Sequence, residues 1–197
     1  ILEATKVLNN TPGFLPFDQI MVDEFQDISS ARWALIEAIR KSKPSTHFTF
    51  VGDDWQAIYE FAGSDPAIML SLGNWSKERK RVYLDETFRM PQELCSVSGS
   101  FVMKNSIQIP KELKGMGKTS GHSPGLTFHW DKSTTNSLAN IKEIIQHIGN
   151  ASEDPEMELL VLGRYRKDLP PIAQLDQLWA GHVRVMTVHS SKGLEAD

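Results

Sequence analysis

Three carboxylates, Asp23, Glu24 and Asp27, crowd the end of the apolar run Ile20, Met21 and Val22 in "IMVDEFQDIS". A second apolar run, in "FTFVGDDWQAIYEF", ends the same way with Asp53, Asp54 and Gln56. Paired acids at a strand exit can divide one task. Asp23 can hold Mg2+ through water while Glu24 polarises an attacking water, which is what phosphoryl transfer by nucleotide-hydrolysing enzymes requires. Gln56 stands where an amide could hydrogen-bond a phosphate or that water. The same acids could equally be a solvated turn, or could hold two metal ions in a nuclease.

Other residues carry chemistry too. Trp55, Tyr59 and Phe61 follow the second acid pair directly. Trp55 reads as core, whereas Tyr59 and Phe61 read either as core or as rings on which nucleic-acid bases stack. Arg89 in "LDETFRMP" lies between a predicted strand and a predicted helix. In "VMTVHSSKGLEAD", Thr187, His189, Ser190 and Ser191 offer donors and Lys192 a charge, and Gly193 lets backbone approach a phosphate.

The elements that must position these residues can be read from periodicity. Phe17 to Glu24 reads as a strand buried on both faces, which sets its acids at the carboxyl edge of a sheet, where open α/β sheets bind ligands. Ser29 or Ser30 caps a helix with Ala31, Ala34, Leu35, Ala38 and Ile39 at helical spacing, and Pro44 ends it. "THFTFVGDD" is the next strand, completing a βαβ unit. Residues 54–75 read as two short helices broken near Gly63. "RKRVYLDETFR" reads as a strand, and Pro91 opens the helix after it. Residues 111–125 read as an exposed loop and "GLTFHW" as a strand. Leu138, Ile141, Ile144, Ile145 and Ile148 define an amphipathic helix. "ELLVLG" follows as a strand, Ile172 to Trp179 as a short helix, and "HVRVMTVHS" as a last strand.

Composition sets bounds. With 40% hydrophobic and 23% charged residues the chain is ordinary for a globular protein. The net charge of −4 argues against a general polyanion-binding surface. That charge is uneven: five bases against ten acids up to residue 75, and sixteen against fifteen after it. A lone cysteine, Cys95, fits a reducing cytoplasm. No apolar run approaches the roughly 20 residues of a membrane span. The first residue is Ile1 rather than Met and motifs crowd the carboxyl end, so the sequence reads as a piece of a larger protein.

Taken in order, these motifs resemble those of UvrD/Rep-type superfamily 1 DNA helicases, most closely the helicase IV branch. "VDEFQD" looks like motif II, "VGDDWQAIY" like motif III, "LDETFR" like motif IV and "MTVHSSKGLE" like motif V. The resemblance implies an α/β fold of two RecA-like parallel-sheet domains, both incomplete here, over residues 1–75 and 76–197. It implies ATP and Mg2+ as cofactors, single-stranded DNA as partner, and 3′ to 5′ movement driven by hydrolysis. Asp23 then matches the Mg2+-binding acid, Glu24 the catalytic base, Gln56 the γ-phosphate-sensing glutamine and Arg89 an arginine that reaches the γ-phosphate. Asp53, Lys192, Gly193 and Glu195 fall with the nucleotide-binding residues. Tyr59, Phe61, Thr187 and His189 fall with those that bind DNA.

Departures from the pattern matter as well. Ala62 stands where larger relatives have an arginine. The short spacing between Arg89 and Thr187 leaves no room for the large inserted subdomain. "GMGKTS" at residues 115–120 lacks the first glycine of a "GxxxxGK[ST]" phosphate loop and follows no buried strand. The expectation is therefore an ATP-hydrolysing parent and an inactive fragment. A rival reading is a helicase-like ATPase that acts as a switch on a protein partner such as RNA polymerase.

Overall fold

The structure, a computed structural model, describes the chain except residues 12, 14, 77, 118–136, 152–157, 172–174, 176–178, 180–182 and 195–197. Gln19–Val22 (β1) and His47–Phe50 (β2) pair in parallel, with Ile20 opposite Phe48 and Val22 opposite Phe50. Between them runs Ser30–Ser42 (α2), following Leu2–Asn10 (α1) in the chain. The hydroxyl of Ser29 accepts from the Arg32 N–H, satisfying a donor that the first turn leaves without a helical partner.

β1 differs from the expectation of burial on both faces. Ile20 and Val22 are half-buried while Gln19 and Met21 are exposed. Alternating side chains point to opposite faces of a strand, and one face of this sheet is covered by an aromatic-rich core. That core gathers Phe25, Ile28, Ile36 and Ile68, with Trp33, Phe48, Phe50 and Trp75 packed around them. The Phe25 ring lies 4.5 Å from Phe50 and edge-on to Trp33 at 5.9 Å, in tilted and T-shaped contacts that suit aromatic quadrupoles.

The chain divides by contact into two compact units, Ile1–His122 and Ser123–Asp197. In the first, the segment after β2 breaks at Gly63 as expected, but into more pieces. These are 3-10 turns at Asp54–Gln56 and Glu60–Ala62, a helix at Pro66–Ser71 (α3) and a 3-10 turn at Leu72–Asn74. Trp55 and Tyr59 consequently share no helical face. The strand expected over residues 79–89 is confined to Glu86–Thr87 (β3), which pairs in parallel with Lys114–Gly115 (β4). Val82, Tyr83 and Leu84 are exposed, because no described residue supplies a strand alongside them. β4 lies inside the expected loop. Gln92–Val102 (α4) begins one residue after Pro91, its N-cap.

In the second unit, Ser137–Ala151 (α5) buries Ile145 with Leu175, Trp179 and Val183. Leu159–Gly163 (β5) and Val183–Thr187 (β6) pair in parallel beside that cluster. β6 stops at Thr187, earlier than expected. The Thr187 hydroxyl accepts from the Ser190 N–H at 3.3 Å and opens the short helix Val188–Ser191 instead. "GLTFHW", the end of "GMGKTS" and most of the 172–179 segment lie outside the described residues. The mixture of helices and small parallel sheets is α/β.

Candidate functional site

Asp23 and Glu24 leave β1 on exposed backbone, and Glu24 takes a left-handed conformation with φ 49° and ψ 43°. Among the described residues it is the one non-glycine with positive φ. Such a conformation costs about 1–3 kcal/mol and persists where its surroundings fix it. Here the fixing is explicit. The Glu24 N–H donates to Asp23 Oδ1 at 2.8 Å, and the next residue, fully buried Phe25, donates its N–H to the Val51 carbonyl at 2.9 Å. The left-handed turn directs the chain from the strand exit into the 3-10 turn Phe25–Asp27. Exposed carboxylates of this kind suit Mg2+, which keeps several waters and is held by one or two acids together with substrate phosphates.

A residue not singled out in the sequence ties the two strand exits together. Gln26 is 1% exposed. Its Nε2 donates to Glu24 Oε2 at 2.6 Å, and its Oε1 accepts from the Asp53 N–H at 3.0 Å. Gly52 is required there, since a Cβ at that position would lie 2.6 Å from Gln26 Oε1 and 3.0 Å from the Phe25 nitrogen. The sequence signal was present in the pairing of an amide inside the acid cluster with a glycine at the next strand's exit, but only the fold shows that they touch.

Asp53 is the hub of the second exit. Its Oδ1 accepts from the Trp55 N–H at 3.0 Å, capping the 3-10 turn, and its Oδ2 accepts from Gln56 Nε2 at 2.9 Å. Lys111 reaches the same carboxylate and also Asp54 Oδ1 at 2.9 Å, with its ammonium 4.7 Å from the centre of the Trp55 ring. Burial works to raise the Asp53 carboxyl. The hydrogen bonds from Lys111 and Gln56, the Lys111 charge and the Trp55 N–H outweigh it and hold the group below its ordinary value. Asp54 is 4% exposed, so removing Lys111 would strand a buried charge at a cost of about 3–5 kcal/mol. Lys111 thus engages Asp53 and Asp54, two of the four acids that a two-ion nuclease would need, and leaves Asp23 and Glu24 on the other exit.

Tyr59 and Phe61 lie just beyond, their ring centres 6.2 Å apart. Phe61 is 73% exposed and Tyr59 half-buried. Their loop is fastened at its far end, where the Asp65 N–H donates to the Ile28 carbonyl at 2.8 Å and Ser29 bridges Ser64. Trp55 is held from several sides: its indole N–H donates to the Ile109 carbonyl, and a Cβ at Gly99 of α4 would touch its ring. Asp23, Glu24, Gln26, Asp53 and Gln56 share one open cavity of about 1490 Å³ that follows β2 and is flanked by Arg40, Arg79 and Arg81.

Arg89 is exposed just after β3. In the second unit, Thr187 lines a cavity of about 340 Å³ with Arg166 and Ser190. His189 and Lys192 are half-buried on the short helix and its end, and Gly193 takes φ +82°, a value few side chains tolerate. Glu195 lies outside the described residues.

The two acidic strand exits are thus joined across a parallel strand pair in an α/β fold. Residues 12–76 match the UvrD/REP helicase N-terminal domain. Over 201 aligned residues, all of this chain and 28% of the relative, the sequence is 34% identical to DNA helicase IV of Escherichia coli. Over 146 residues, 73% of this chain and 19% of the relative, it is 26% identical to the ATP-dependent DNA helicase PcrA of Staphylococcus epidermidis. The chain therefore spans less than a third of the length of these relatives. The chain is thus similar to UvrD-type helicases over part of their length.

Proposed function

We propose that this chain is part of an ATP-dependent DNA helicase that moves 3′ to 5′ on single-stranded DNA in the cytoplasm, in DNA repair. Residues 1–75 belong to a first RecA-like motor domain and residues 76–197 to a second. The observation that carries this reading is the Gln26 bridge, because it joins the exit that bears Asp23 and Glu24 to the exit that bears Asp53 and Gln56. The matched relatives are named as DNA helicases, which favours this reading over a switch acting on a protein partner.

Each residue has a distinct task. Asp23 would hold Mg2+, which screens phosphate charge when bound. Glu24, aimed by its left-handed backbone and by Gln26, accepts the proton of the attacking water. Gln56 and Arg89 answer to the γ-phosphate, and the family resemblance assigns nucleotide binding to Asp53, Lys192, Gly193 and Glu195. Tyr59 and Phe61 present rings to DNA bases, and Thr187 and His189 donate to its backbone. Glu24→Gln in the full-length protein tests the assignment. The amide keeps the shape but cannot take a proton, so ATP binding should persist while turnover with saturating single-stranded DNA disappears. Near-normal turnover would remove Glu24 from the role of base.

A further inference from the structure

Residues 109–117 run from the turn that carries Gln56 to the turn that carries Arg89, and they are fastened to both. At the first end, the Ile109 N–H donates to Asp54 Oδ2 at 2.6 Å, the Ile109 carbonyl accepts from the Trp55 indole, and Lys111 binds both Asp53 and Asp54. At the second end, the Met116 N–H donates to the Thr87 carbonyl at 2.7 Å and the Gly117 N–H to the Met90 carbonyl at 3.1 Å. These two bonds bracket Arg89. A Cβ at Gly117 would stand 2.6 Å from the Met90 carbonyl carbon, so the approach is close enough to exclude a side chain.

We infer that this segment is a strap coupling the Gln56 turn to the Arg89 turn, and that Lys111 is its positioning residue. The inference rests on the roles proposed above for Gln56 and Arg89. The Asp53 carboxylate is divided between the two ends of the path: one oxygen is held by Lys111 and the other receives the Gln56 amide. A displacement of the Arg89 turn therefore reaches Gln56 by way of the Asp53 carboxylate, with the Ile109 bonds to Asp54 and Trp55 holding the same turn. Lys111 also neutralises buried Asp54, so the clasp does not slacken gradually. It is made, or a charge is stranded in the interior.

The test uses the full-length protein. Lys111→Met should lower kcat for DNA-stimulated hydrolysis about tenfold and leave KM for ATP within about twofold. Lys111→Arg should restore most of kcat, because the guanidinium keeps both charge and donors. Without nucleotide, amide hydrogen exchange in Lys111→Met should quicken at Gln56 and at Met116 and Gly117 together. A wild-type kcat in Lys111→Met, or faster exchange confined to the Gln56 turn, overturns the strap. Should Lys111→Met fail to fold, the double variant Asp54→Asn/Lys111→Met removes the stranded charge and carries the same expectations. Gln56→Ala separates the two readings. If it keeps full DNA stimulation, the role of Gln56 falls and the strap with it; if it is defective while Lys111→Met is normal, the strap alone falls.

Discussion

At the scale of the residue, Gln26 is the side chain that joins the two acid-bearing strand exits. A glutamine has two donors and two acceptors, and this one spends its amide in two directions, toward Glu24 and toward the Asp53 backbone. An aspartate or glutamate here could not donate, and an apolar residue would leave the part-buried Asp53 N–H without this partner. Gly52 is the complementary part, since its missing Cβ is the space in which Gln26 Oε1 sits. Gly52→Ala should therefore force Gln26 aside. We expect a loss of about 1–3 kcal/mol in urea unfolding, as for other overpacked interiors. Hydrolysis by the full-length protein should drop alongside it, because Glu24 loses its donor. In a Gln26→Ala background the same Gly52→Ala change should cost far less, since the clashing oxygen is gone. Additive losses in that cycle would mean that Gly52 clashes with backbone rather than with Gln26.

Elements decide how a nucleotide at the acids could be felt by DNA at the rings. Gln56 ends a 3-10 turn, and Tyr59 follows after Ala57 and Ile58, so the link is a short irregular segment and not a helix. It is nevertheless fixed at both ends, by Asp53 on one side and by the Ile28–Asp65 and Ser29–Ser64 pairings on the other. Gln56→Ala in the full-length protein should remove most DNA stimulation of hydrolysis, leave DNA affinity without nucleotide nearly intact, and cost no more than about 1 kcal/mol of stability. Tyr59→Ala should weaken single-stranded DNA binding itself by about 1–3 kcal/mol, measured by fluorescence anisotropy. Wild-type stimulation and affinity in both variants would end the translocation reading of this segment. The βαβ unit was legible because apolar runs, a serine cap and Pro44 are local signals. The acid-bearing exits were legible for the same reason. Lys111 was not, because an ion pair between positions so far apart in the chain leaves no local pattern. The retreat of the 79–89 strand to two residues was hidden too: apolar alternation reports a willingness to pair, while the partner decides how much pairing occurs.

For the whole molecule, the question is whether what this chain holds suffices to bind nucleotide. The acids, Gln56 and a large cavity are in place. A triphosphate also needs backbone N–H groups converging on its β- and γ-phosphates, and a lysine among them. "GMGKTS" is the one stretch of sequence with a GKT that could supply them, and its described part is otherwise engaged. The Gly115 N–H donates to Gln92 Oε1 at 2.8 Å, Met116 to the Thr87 carbonyl and Gly117 to the Met90 carbonyl. A Cβ at Gly115 would stand 2.5 Å from the Gln92 nitrogen, so this glycine serves close packing against the start of α4. Three amides already spent on the protein cannot cradle a phosphate without breaking that packing. Isothermal titration of this chain with MgATP should accordingly show no tight binding, and steady-state assays no hydrolysis with or without single-stranded DNA. A dissociation constant in the micromolar range, about −8 kcal/mol, would mean that the strap unfastens and residues 115–117 turn their amides outward. The diagnostic would then be Gln92→Ala, which releases the Gly115 amide: under that outcome it should tighten MgATP binding, and under the expected one it should change nothing in the titration.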